Sequence, residues 1–181
     1  MRLFDFLLVT LITAALASVI VVFRDDAMPY PVRHPEVAID APHARPWAGV
    51  MIHSSGTRRG SLATIEKAHA THGGAPFHFV IGNGTETPDG AVEEAPRWRE
   101  DRPGKNPDAI EVCIVGDLER ERMTKRQDLA LQELLLRVCR EKMIPASEVY
   151  AESEKRKGIA CPGRYFDAAR MRVWLQAALS K

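Results

Sequence analysis

The chain has only three cysteines among 181 residues, and its formal net charge is +1. Cys113, Cys139 and Cys161 are odd in number and irregularly spaced, which argues against a disulfide framework. A charge this close to zero gives no electrostatic reason to expect nucleic acid as the main partner. Apolar residues are not in short supply. Hydrophobic residues make up 45% and charged residues 27%, values that exclude a disordered chain. The length suits one domain plus an appendage.

Residues 6–23 lack charge altogether, and Thr10, Thr13 and Ser18 are their only polar side chains. Such a run just reaches the roughly 17–25 residues that span a bilayer. Ala15-Leu16-Ala17 resembles a signal-peptide cleavage site. However, Val19-Ile20-Val21-Val22-Phe23 continues the apolar run past it, which favours an uncleaved anchor over residues 1–25. Five of the twelve prolines fall between Asp25 and Pro46. Proline removes backbone donors and blocks helix, so residues 26–46 read as an extended linker. The folded domain, residues 47–181, is then expected on the exported side of a membrane, held there by residues 6–23.

Within the domain, Trp47-Ala48-Gly49-Val50-Met51-Ile52-His53 reads as a short buried strand that ends at a histidine. Ser61 caps a predicted helix running to about His72. Residues 77–81 form a second strand, and turn signals at Gly82-Asn83-Gly84 and Pro88-Asp89-Gly90 return a short strand over 91–95. Residues 97–107 read as a solvated charged loop. Residues 109–115 form another strand. Thr124 and Gln127 give a capping-box pattern. Leu131, Leu134, Leu135 and Val138 follow the spacing of an amphipathic helix to about Lys142. A short strand or turn covers 147–150, and the charge run 152–157 reads as a solvated loop. Asp167 caps a last helix with Met171, Trp174, Leu175 and Ala178 facing inward. The fold class is α/β, a mixed central β-sheet flanked by helices. Cys113 and Cys139 belong to apolar segments and read as inert core residues. Only Cys161, in a Cys161-Pro162-Gly163 turn, has the surroundings of a ligand.

These stretches together resemble the zinc-dependent N-acetylmuramoyl-L-alanine amidase and peptidoglycan recognition protein family. The shared features are an I-H-S strand, an aromatic-H-F-V-I-x-N-G hairpin, I-x-V-C-I-V-G-D-L, a T-x-x-Q helix and a closing C-P-G-x-Y-F, over residues 47–175. The resemblance implies one zinc ion held by two histidines and a cysteine or aspartate. It implies attack by the metal's water on the amide between the lactyl group of muramic acid and L-alanine. His53 matches the first ligand and Cys161 the last. Counting eight positions back from Cys161 puts Ser153 at the second, and no histidine follows His78. Phe77 stands where family members carry an assisting tyrosine, and Ile159 where they carry a polar residue. Zinc is therefore expected to bind weakly, because Ser153 replaces the second histidine, unless Glu152 or Glu154 supplies a carboxylate. No catalytic residue is assigned. The resemblance implies a peptidoglycan or muropeptide partner and a catalytically impaired binding domain. The alternatives are an active zinc amidase with an altered third ligand, and a protein-interaction scaffold.

Overall fold

The computed structural model describes residues 46–181. The anchor segment 1–25 and nearly all of the linker 26–46 lie outside the described residues. Among the described residues no helix is long and apolar enough to cross a membrane.

Five strands form one sheet: β1 (Gly49–Ser54), β2 (Phe79–Ile81), β3 (Val92–Glu94), β4 (Ala109–Ile114) and β5 (Val149–Ala151), in the order β3-β2-β4-β1-β5. β1 runs parallel to β4 and β5, and β2 runs parallel to β4. Only β3, the return strand of the hairpin, is antiparallel. The sheet is therefore mixed, as the sequence predicts. Parallel neighbours need crossovers, and helices supply them. The helices are α1 (Leu62–Ala68), α2 (Pro96–Arg99), α3 (Lys125–Lys142), α4 (Glu152–Lys155) and α5 (Ala168–Leu179).

Side-chain alternation along the strands sorts the sheet into two different faces. Val50 and Ile52 of β1, Phe79 and Ile81 of β2, Ile110, Val112 and Ile114 of β4, and Val149 and Ala151 of β5 all enter the main core. There they meet Leu131, Leu134, Leu135 and Val138 of α3, and Met171 and Leu175 of α5. Each of these large side chains, fully buried, contributes roughly 1.5–3 kcal/mol. The opposite face carries the odd-numbered residues of β1, Met51 and His53. Its apolar cluster is small: Val80, Cys113 and Val115, with half-buried Leu62, Ile65 and Phe77. Helix α1 has no fully buried residue, so it covers this face only thinly.

Three predicted caps form, among them Asp167 at α5, whose Oδ1 accepts from the Arg170 N–H at 2.8 Å. The Ser61 side chain accepts from the Thr64 N–H at the start of α1. That helix ends at Ala68, and a 3-10 turn, Ala70–His72, completes the predicted span to His72. At α3, Thr124 Oγ1 accepts from the Gln127 N–H at 3.0 Å, and Gln127 Oε1 accepts from the Thr124 N–H at 3.1 Å. The Gln127 amide also donates to the carbonyls of Val115, at 2.7 Å, and Ile81, at 3.3 Å. One buried side chain thus caps the helix and satisfies the backbone at the ends of β4 and β2. Residues 97–107 are more than a solvated loop. They begin in α2, and Trp98 is buried in the core.

Candidate metal centre

His53 is the last-but-one residue of β1 and lies on the thinly covered face. In the parallel ladders it stands opposite Cys113 of β4. On its other side the β1–β5 register pairs Val50 with Val149, Met51 with Tyr150 and Ile52 with Ala151. Continued by one residue, that register puts Glu152 opposite His53. Glu152 opens α4, is 2% exposed, and its Oε2 lies 2.9 Å from His53 Nδ1. The Cys161 Sγ is 3.8 Å from the same nitrogen. His53, Glu152 and Cys161 offer ligand atoms that all lie within 4.8 Å of one another.

The Cys161 turn is fixed to the strand end from several directions. The Ser54 N–H donates to Cys161 Sγ at 3.5 Å, and the Ser54 hydroxyl donates to the Pro162 carbonyl at 2.7 Å. The Ser153 N–H donates to the Cys161 carbonyl at 2.8 Å. Gly163 has φ +128°, and a Cβ there would lie 2.3 Å from the Leu118 carbonyl carbon. Only glycine fits that approach.

Three more groups surround the cluster. Glu111, in the middle of β4, is completely buried and its Oε2 bonds His53 Nε2. Its other oxygen accepts from the backbone and side-chain N–H groups of Asn106, both at 2.6 Å. Lys105 bonds Glu152 Oε1, and the Arg156 guanidinium lies 3.5 Å from the same oxygen. Behind Glu111, His78 Nε2 donates to the Arg102 carbonyl at 2.9 Å, while its Nδ1 accepts from the Glu111 N–H at 2.8 Å. A Cβ on Gly104 would lie 2.5 Å from Glu111 Cγ and 2.7 Å from the Pro76 carbonyl oxygen. The loop needs glycine there to close over the glutamate.

The charges follow from these contacts. Burial disfavours the His53 imidazolium, but bonds to Cys161 and Glu111 and the charge of Glu111 outweigh it and raise the pKa to about 9. Burial likewise works against the Glu152 carboxylate. The Lys105 bond and the His53 charge overcome it and hold the group at about 2. Burial lowers His78 to about 4, so its neutral form is favoured. Burial pushes the Cys113 thiol well above its usual range and Cys139 up to about 12, as inert core cysteines require.

The expected site is corrected at its second position. Ser153 is not part of the cluster; its side chain is exposed, and the carboxylate of Glu152 stands beside His53 and Cys161. The reason is helix geometry. Ser153 is the next residue of α4, and one step along a helix turns the side chain by about 100°. Spacing from Cys161 lands one residue late, whereas strand register lands on Glu152. The explanation of weak zinc binding by a serine therefore falls. Glu154, the other carboxylate considered, pairs instead with Arg172 at 2.9 Å through both oxygens. Arg172 holds its pKa below the usual carboxylate value. Phe77 does lie beside the site, its ring centroid 5.2 Å from that of His53. Ile159 is exposed. Glu111, Lys105 and Asn106 were not expected. For Glu111 there was a signal, a lone acid inside an otherwise apolar strand.

The donor set suits a metal ion. Zinc accepts imidazole nitrogen, thiolate and carboxylate oxygen, with bonds of about 2.0–2.3 Å that set donors roughly 3–4 Å apart. The separations from His53 Nδ1, 2.9 and 3.8 Å, meet that demand. Among the described residues, then, a mixed α/β sheet carries one candidate metal centre at a strand end.

The comparisons specify that class further. The family model of N-acetylmuramoyl-L-alanine amidase matches residues 43–164, and the chain belongs to this family. Among solved structures, the amidase LysC from Clostridium intestinale is similar at 20% identity, with TM-score 0.64, over 74% of this chain and 87% of that one. Human PGRP-IBETAC, solved with a glycosamyl muramyl pentapeptide, is similar at 14% identity, with TM-score 0.57, over 71% of this chain and 84% of that one. Bumblebee PGRP-SA is similar at 17% identity, with TM-score 0.56, over 72% of this chain and 83% of that one. No curated protein matches.

Proposed function

We propose that the chain is an exported, membrane-tethered domain that binds muropeptide, with a metal ion at His53, Glu152 and Cys161 and little hydrolysis of its ligand. The observation that carries this reading is the convergence of those three donors within 4.8 Å at a strand end. Family membership makes peptidoglycan the polymer to test, and PGRP-IBETAC was solved with a muramyl peptide. The uncharged residues 6–23 support the tether.

Bound zinc would polarise a carbonyl and activate a water in such a site. The chain's own groups support binding better than turnover. Phe77, beside His53, presents a ring with no hydroxyl to donate. Glu152 is already paired with Lys105 and Arg156, so its charge is largely spent inside the protein. Loss of one hydrogen-bond donor from a hydrolytic site costs on the order of a hundredfold or more in rate. The convergence of three donors also favours a second reading, an active amidase with a glutamate in its ligand set.

The test is incubation of the full chain with a muramyl pentapeptide, with binding and peptide release followed together. Saturable binding with the ligand recovered intact is expected. Rapid zinc-dependent release of the stem peptide would establish the amidase reading. Absence of binding would leave the scaffold.

A further inference from the structure

Glu111 is a fully buried carboxylate in the middle of an apolar strand, and nothing in the ligand set requires it. A buried carboxylate is costly unless each oxygen is bonded. Oε1 is taken by the two N–H groups of Asn106. Oε2 has one hydrogen-bond partner among the described residues, His53 Nε2. The two ring nitrogens therefore have different surroundings: Nε2 is held by Glu111, whereas Nδ1 faces Glu152 Oε2 at 2.9 Å and Cys161 Sγ at 3.8 Å.

We infer that Glu111 is a positioning residue: it holds the His53 ring through Nε2 and turns Nδ1 toward Glu152 and Cys161 as a ligand atom. The assignment deepens the metal reading above and rests on it only for its second consequence. Ligand histidines commonly donate their other ring N–H to a carboxylate, which fixes ring and tautomer. Here the carboxylate is itself fixed. Asn106 holds one oxygen, the Glu111 N–H donates to His78, and His78 donates onward to the Arg102 carbonyl. Gly104 comes so close to Glu111 that a Cβ there would lie 2.5 Å from Glu111 Cγ. Position of the ring is thus set from β4, independently of α4 and of the Cys161 turn.

Nitrogen-15 NMR of the histidine ring in the metal-free full chain tests the first consequence. A slowly exchanging, downfield proton on His53 Nε2 is expected in the wild type, and its protection should be lost in Glu111→Ala. Zinc titration tests the second. Glu111→Ala and the near-isosteric Glu111→Gln should each bind zinc about 10- to 100-fold more weakly, the usual size of such support. Glu111→Gln keeps the shape and carries the test if Glu111→Ala does not fold. A wild-type proton found only on Nδ1 would overturn the assignment. So would a folded variant that keeps both the protected Nε2 proton and wild-type zinc affinity. A protected Nε2 proton in a wild type that binds no zinc would remove the metal reading and leave the placement of the ring standing.

Discussion

At the scale of single residues, the acids and histidines of the site face decide what the domain can do. His53 was legible in the sequence because an apolar strand ends on it, and Cys161 because it opens a tight turn. Glu152 was legible only as an alternative to Ser153, because the charge run 152–157 has the composition of a solvated loop. Only the β1–β5 register shows that its first residue is still on the sheet's line and turned inward. His78 offers a pH test. Its native pKa of about 4 lies below the ordinary value of 6.5. Between those values the unfolded chain binds the extra proton, so stability falls as pH drops through 6.5 toward 4 and changes no further below. The full window is worth about 3 kcal/mol at 1.36 kcal/mol per unit. Urea unfolding at pH 7 and pH 4 should show the wild type losing about that much more than His78→Gln. Equal losses in the two proteins would refute the assignment of a neutral buried ring.

At the scale of elements, the fold was more legible than the site. Periodicity and caps placed α1, α3 and α5, and turn chemistry placed the β2–β3 hairpin, because both signals are local. The loop from 97 to 107 failed to declare itself. Arg97 is spent on the Ala75 carbonyl and Lys105 on Glu152, while Arg102 forms an exposed pair with Glu100. Sequence composition cannot distinguish those uses, since the partners of Arg97 and Lys105 are far away along the chain. The capping box at α3 is expected to matter measurably. Thr124→Ala should cost about 1 kcal/mol, within the usual 0.5–2 kcal/mol for a lost N-cap. Thermal unfolding would register it as a lower midpoint with little effect on zinc binding. Gly104→Ala should act in the opposite pattern. A Cβ 2.5 Å from Glu111 Cγ forces the loop off the glutamate, so metal affinity should fall more than the midpoint does.

At the scale of the whole molecule, the sheet separates stability from function. Helices α3 and α5 bury the apolar face, while the face bearing His53 keeps only a small apolar cluster beneath α1. That asymmetry lets an acid-rich site persist without disturbing the main core. Residues 6–23 carry the proposed tether. Full chain is expected to sediment with membranes and a chain starting at residue 26 to stay in the supernatant; the reverse would remove the tether. The metal centre is the centre of the account, and a zinc titration of the full chain with single-residue variants tests it most directly. One equivalent should bind to the wild type and to Ser153→Ala with the same affinity. His53→Ala, Glu152→Ala and Cys161→Ala should each lose most of that affinity, because each removes one of three donors. A wild type that binds no zinc, or a Glu152→Ala variant that binds as tightly as the wild type, would contradict it.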